Sequence, residues 1–164
     1  MDFWMFNTPI GYMGLGAEND ALVRVYLPNA PTPRLMPRKT PLLEQAEQQL
    51  QEYFRGARKT FALPLAPEGT PFQNRVWAEL QTIPYGQTRT YKQLACMADC
   101  PKGFRAVGMA NNRNPLPILI PCHRIIASDG SLTGYAGGLA AKAFNLCGCF
   151  LSGKFTQSAG QDKG

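Results

Sequence analysis

The chain has 164 residues, 45% hydrophobic and 17% charged, which is the make-up of a globular protein and excludes a largely disordered one. Lys and Arg number 17 against 11 Asp and Glu, a net charge of +6, and the excess gathers between Pro84 and Ile126, where six bases meet one acid. The longest apolar run, Leu116 to Pro121, falls well short of the ~20 residues of a membrane helix, and MDFWMF has no basic leader, so a cytoplasmic protein off the membrane is expected.

The first elements are strands. Residues 2–27 alternate in type, with Val23, Val25 and Leu27 on one face and Leu22, Arg24 and Tyr26 on the other. Glu18-Asn19-Asp20 predicts a hairpin turn. Five prolines from Pro28 to Pro41 mark a loop. A helix follows, capped by Thr40, with Pro41 at its first position, Leu43, Ala46, Leu50 and Phe54 on its buried face, and Gly56 as its stop. Pro64, Pro67 and Gly69 then mark a boundary, which makes residues 1–68 an N-terminal structural lobe.

A second lobe, residues 69–147, opens on Thr70-Pro71-Phe72-Gln73, a capping box with proline at the first helical position. Phe72, Val76, Leu80 and Ile83 form its expected buried stripe. Thr90 caps a second helix with Leu94 and Met97 inward. A third runs from Phe104 to Asn112, and a last one from Gly138 to about Leu146. Residues 148–164 are expected to be a flexible tail. The fold class is α+β, a small sheet-plus-helix lobe followed by a helical, winged helix-turn-helix lobe.

The third helix carries Ala106, Gly108 and Ala110. Glycine inside a helix costs about 1 kcal/mol relative to alanine, so something approaches closely there. The approaching partner is either a neighbouring helix or a nucleic-acid backbone. Arg105 and the local positive charge favour DNA, against a plain solvated basic face.

The chemistry concentrates at Asn114-Pro-Leu-Pro-Ile-Leu-Ile-Pro-Cys122-His123-Arg124. A strand-like apolar run delivers a cysteine, then the chain's one histidine, then an arginine. A nucleophilic cysteine must be a thiolate, which a neighbouring base or cation promotes. In an extended chain adjacent side chains point apart, so Cys122 and His123 are expected to communicate through a bend or a bridging water. An inert buried thiol is the plain alternative. Five cysteines, an odd number without an export signal, predict reduced thiols. The spacings Cys96-x3-Cys100 and Cys147-x-Cys149 do not match a zinc knuckle, so no metal and no cofactor is expected.

These residues resemble the O6-alkylguanine-DNA alkyltransferases, the methylated-DNA–protein-cysteine methyltransferases. Pro121-Cys122-His123-Arg124-Ile125-Ile126 carries the resemblance, with Arg105-Ala106-Val107-Gly108, Ala110 and Asn114-Pro115 upstream, Tyr135-Ala136-Gly137-Gly138-Leu139 downstream, and Pro84-Tyr85-Gly86 and Tyr91 before them. It implies a monomeric, single-turnover repair protein for double-stranded DNA carrying O6-alkylguanine, with O4-alkylthymine an open second lesion. Cys122 would accept the alkyl group, His123 draw its proton through water, and Tyr91 donate to the leaving guanine. Arg105 would fill the stack after the base flips out, with Ala106, Gly108, Ala110 and Asn111 on the DNA-binding helix. Asn114, Pro121 and Arg124 would build the active-site turn, and Tyr135, Ala136 and Gly137 the base pocket.

The resemblance ends near Asn145. Where the family has a glutamate that orients the histidine, this chain has Cys149, and no glutamate follows Glu79. A weakly active or non-catalytic lesion-binding protein is therefore the alternative. An alkylation- or oxidation-sensing helix-turn-helix regulator and a cysteine hydrolase are further ones, the latter without an oxyanion-hole motif.

Overall fold

The structure is a computed structural model that describes residues 1–127. The chain forms two compact units, Met1–Glu68 and Gly69–Gly164. The last helix, the tail, Tyr135, Ala136, Gly137 and position 149 lie outside the described residues. No helix among the described residues is long and apolar enough to cross a membrane.

In the first unit, β1 (Asp2–Thr8), β2 (Gly11–Glu18) and β3 (Ala21–Tyr26) form an antiparallel sheet in that order. Glu18 pairs with Ala21 across a two-residue turn. Asn19 (φ 50°) and Asp20 (φ 60°) both sit in the left-handed region, the conformation that matches strand twist and that Asn and Asp tolerate best.

One expectation fails in β3. Gly16 pairs with Arg24 but Ala17 pairs with Leu22, so Val23 is the extra residue of a β-bulge. The bulge breaks the period of two, and Leu22, Val25 and Leu27 are buried while Val23 is only half-buried. Both backbone groups of Leu22 bond the returning segment, its N–H to Pro64 O at 2.8 Å and its carbonyl to Ala66 N–H at 2.8 Å.

Helix α1 (Pro41–Phe54) packs on this sheet, capped by the Thr40 hydroxyl, which accepts from Leu43 N–H at 3.3 Å. Leu43, Ala46 and Leu50 are buried as expected, but Tyr53 takes the place foreseen for Phe54, and Gln49 is buried with them. The Gln49 amide accepts from Ala62 N–H at 3.0 Å and donates to Ala62 O at 3.4 Å, so it serves as a backbone partner for the segment after the helix.

In the second unit, α2 (Pro71–Leu80) begins with the full capping box of Thr70 and Gln73. Strand β4 (Arg89–Thr90) runs straight into α3 (Tyr91–Met97), which repeats the device with Thr90 and Gln93. Helix α4 (Phe104–Asn112) follows after a turn, a helix-turn-helix order. Val76, Trp77, Leu80, Leu94, Ala95 and Val107 are buried between the three helices. Phe72 and Met97 stay half-buried, and Trp77 is the large residue that the expected stripe omitted. Its indole N–H donates to Ala110 O at 2.8 Å, joining α2 to α4 inside the core. Gly69 lies flat on that indole, where any β-carbon would collide with the ring.

Candidate active site and nucleic-acid interface

The approach to Cys122 is a chain of tight turns. Asn114 is buried, and its amide spans the loop: Nδ2 donates to Ile120 O at 2.8 Å, and Oδ1 accepts from Leu116 N–H at 2.9 Å. Ile120 N–H closes onto Leu116 O at 2.8 Å. Ile118 sits at φ 74°, a strained region for a β-branched residue, and is buried there. A strained conformation persists only where the surroundings over-determine it, and the Asn114 brace does so.

Pro121 (φ −78°, ψ 64°) is the centre of an inverse γ-turn, closed by Cys122 N–H to Ile120 O at 2.8 Å. Cys122–Arg124 then form a single 3-10 turn, with Arg124 N–H bonded to Pro121 O at 3.1 Å. The segment is therefore bent at the cysteine rather than extended. Three prolines and the Asn114 brace leave the chain no straight path there. Cys122 and His123 are both buried, 3% and 0% exposed.

Directly after the turn, β5 (Ile125–Ile126) pairs in parallel with β4, Arg89 with Ile125 and Thr90 with Ile126. This two-residue ladder brings the N-terminus of α3, and so Tyr91, beside the strand that leaves Cys122. Arg124 is buried, 6% exposed, and ties the turn to the end of α2: Nη1 donates to Ile83 O at 2.7 Å, and the guanidinium lies 5.8 Å from the Tyr85 ring centre. Among the described residues its Nε has no hydrogen-bond partner. Among the described residues no acid pairs with Arg124, so its buried guanidinium sets a positive charge two residues from the thiol.

The outer face of α4 is the candidate DNA surface. Arg105 and Ala106 are exposed and Gly108 is half-buried. Ala110 and Asn111, expected on this face, are buried instead. They follow Val107 by three and four residues, so helical geometry puts them on the inner stripe with it. The Asn111 amide approaches the Cys122 carbonyl at 3.5 Å from inside.

Gly108 bears on the two explanations for small residues in this helix. Among the described residues, a β-carbon there would meet only the Tyr91 ring, at 3.9 Å, an ordinary contact. Packing among the described residues therefore does not require glycine, which leaves room on this face for the approach of a DNA backbone.

The comparisons with known proteins agree with this geometry. Residues 3–67 match the ribonuclease-like domain of 6-O-methylguanine DNA methyltransferase, and residues 71–147 match its DNA-binding domain. The chain belongs to this family. It is 47% identical over 147 residues to the constitutive methylated-DNA–protein-cysteine methyltransferase of Bacillus subtilis, covering 85% of this chain and 89% of that one. The methylated-DNA–protein-cysteine methyltransferase of Methanosarcina acetivorans is 44% identical over 150 residues, covering 89% and 96%. Among solved structures, Mycobacterium tuberculosis OGT in complex with DNA superposes with a TM-score of 0.82 at 39% identity, over 89% of this chain and 91% of that one.

Within the family's DNA-binding domain, then, the structure gathers Tyr91, Asn114, Pro121, Cys122, His123 and Arg124 around one braced turn. It sets Arg105, Ala106 and Gly108 on the outward helix. Sequence reasoning did not find the inward Asn111 or the link from Arg124 to Ile83. The spacing of Asn111 from Val107 could have revealed the first; a bond between residues 41 apart leaves no local signal.

Proposed function

We propose that this protein repairs DNA by transferring the alkyl group of O6-methylguanine in duplex DNA irreversibly to its own Cys122. The observation that carries the reading is the braced turn that presents Cys122 and His123, inside the DNA-binding domain of the matched family.

The reaction is a displacement at the methyl carbon. The sulfur–carbon bond forms as the carbon–oxygen bond breaks, and the electron pair stays on the guanine. His123 takes the thiol proton, and the buried charge of Arg124 favours the thiolate. Guanine leaves readily only if a proton meets the developing negative charge, and Tyr91 supplies that donor. No step regenerates the thiol, so each molecule reacts once and no cofactor takes part. The base must leave the duplex to reach a buried sulfur, and Arg105 fills the space left in the stack.

The test is the mass of the intact protein after incubation with duplex DNA containing O6-methylguanine. One hydrogen should be replaced by one methyl group, and Cys122→Ser should show no change. A wild-type chain that stays unmodified while binding the lesion would favour a lesion-binding protein instead.

A further inference from the structure

Beside the reacting centre lies a concavity of about 320 Å³, lined among the described residues by Tyr91, Lys92, Phe104 and Ala127. That volume is in the range of sites that hold a small organic group, roughly 300–1,000 Å³. Its composition is specific. It offers an aromatic wall, a flexible ammonium at the edge, and an apolar residue just beyond the strand leaving Cys122.

Phe104 is the unusual member. It is 45% exposed at the first position of α4, on a basic surface and next to Arg105. An exposed phenyl ring contributes little to folding there. Helical spacing places Phe104 one turn before Gly108, and Gly108 adds no side chain to that stripe.

We propose that this concavity seats the nucleotide next to the lesion on the damaged strand: its base stacks on Phe104 and its phosphate meets Lys92. The proposal rests on the repair reading above. Base faces stack on aromatic side chains irrespective of sequence, and lysine meets phosphate as a point charge, so the site would grip any neighbour. The local excess of five positive charges between Pro84 and Ile126 favours a nucleotide over an uncharged occupant. When the damaged base leaves the stack, its neighbour loses a stacking partner. Phe104 replaces that partner, as Arg105 fills the vacated position.

The experiment measures affinity by fluorescence anisotropy, with Cys122→Ser as the unreactive background. Duplexes carry O6-methylguanine with either normal neighbours or an abasic site on one side of it. Removing the neighbouring base on one of the two sides should weaken binding about five- to hundredfold, the range for a base stacked on an aromatic ring. Phe104→Ala should weaken binding to the intact duplex by a similar factor and erase the difference between duplexes, and Phe104→Trp should restore both. Lys92→Gln should lower the salt dependence of binding by about one phosphate contact. Phe104→Ala that binds both duplexes as the parent does overturns the proposal, as does a parent indifferent to abasic neighbours on either side. If Phe104→Ala leaves DNA affinity intact but slows transfer from free O6-benzylguanine, the concavity seats the alkyl group and the proposal is wrong. Affinity is read without alkyl transfer, so a failed methylation assay would count against the repair reading and not against this one.

Discussion

Asn114 offers the sharpest test of how the active-site turn is held. Its amide makes two hydrogen bonds inside the unit, to Ile120 O at 2.8 Å and from Leu116 N–H at 2.9 Å. Asn114→Ala removes both partners and leaves one carbonyl and one N–H buried without a bond. Each such group costs about 1–3 kcal/mol, so the loss should be roughly 2–6 kcal/mol of unfolding free energy. That is a large share of a typical 5–15 kcal/mol total, and the variant could populate the unfolded state. Asn114→Asp serves as the milder companion. It keeps the acceptor for Leu116 but sets a carboxylate oxygen against Ile120 O, so it should fall between the parent and alanine at neutral pH. Urea unfolding gives the free energies, with an unchanged slope confirming a comparable transition. Single-turnover transfer should slow in both variants, because the same bonds set the height of Cys122. A loss below about 0.5 kcal/mol for Asn114→Ala, the level of an indifferent surface change, would refute the brace.

Three further variants probe the helices. Gly108→Ala should raise stability by up to about 1 kcal/mol, since the new methyl meets Tyr91 at an ordinary distance and alanine favours the helix, yet it should weaken DNA binding; both are read on one preparation by unfolding and anisotropy. Arg105→Ala should slow repair of duplex DNA more than reaction with free O6-benzylguanine, because flipping and not the displacement depends on it; equal losses would contradict the assignment. Trp77→Phe should cost about 1–3 kcal/mol in urea unfolding, because the Ala110 carbonyl loses its buried partner at 2.8 Å.

Local chemistry made much of this protein legible. Thr40, Thr70 and Thr90 each announce a helix because a hydroxyl before a helical run satisfies an N–H that has no partner in the helix, and all three do so in the structure. Asn19-Asp20 could be read as a turn because few other residues tolerate two left-handed positions in a row. The cysteine segment was readable because its residue types have few joint uses. What escaped depends on partners distant in sequence. The bulge at Val23 comes from pairing with β2 and changes which residues of β3 face inward. The β4–β5 ladder is two residues long, too short for any periodicity, yet it places Tyr91. Arg124 reads as a surface charge in isolation, and its burial is explained by distant partners, the Ile83 carbonyl and the Tyr85 ring.

The account stands on Cys122 as the acceptor, and peptide mapping after incubation with duplex DNA containing O6-methylguanine tests it most directly. Accessibility alone would direct alkylation to Cys96, which is exposed, and away from Cys122, which is 3% exposed. The account predicts a single methyl group on the peptide containing Cys122 and none on those containing Cys96 or Cys100. Methyl found on Cys96, or spread over several cysteines in proportion to exposure, would contradict it.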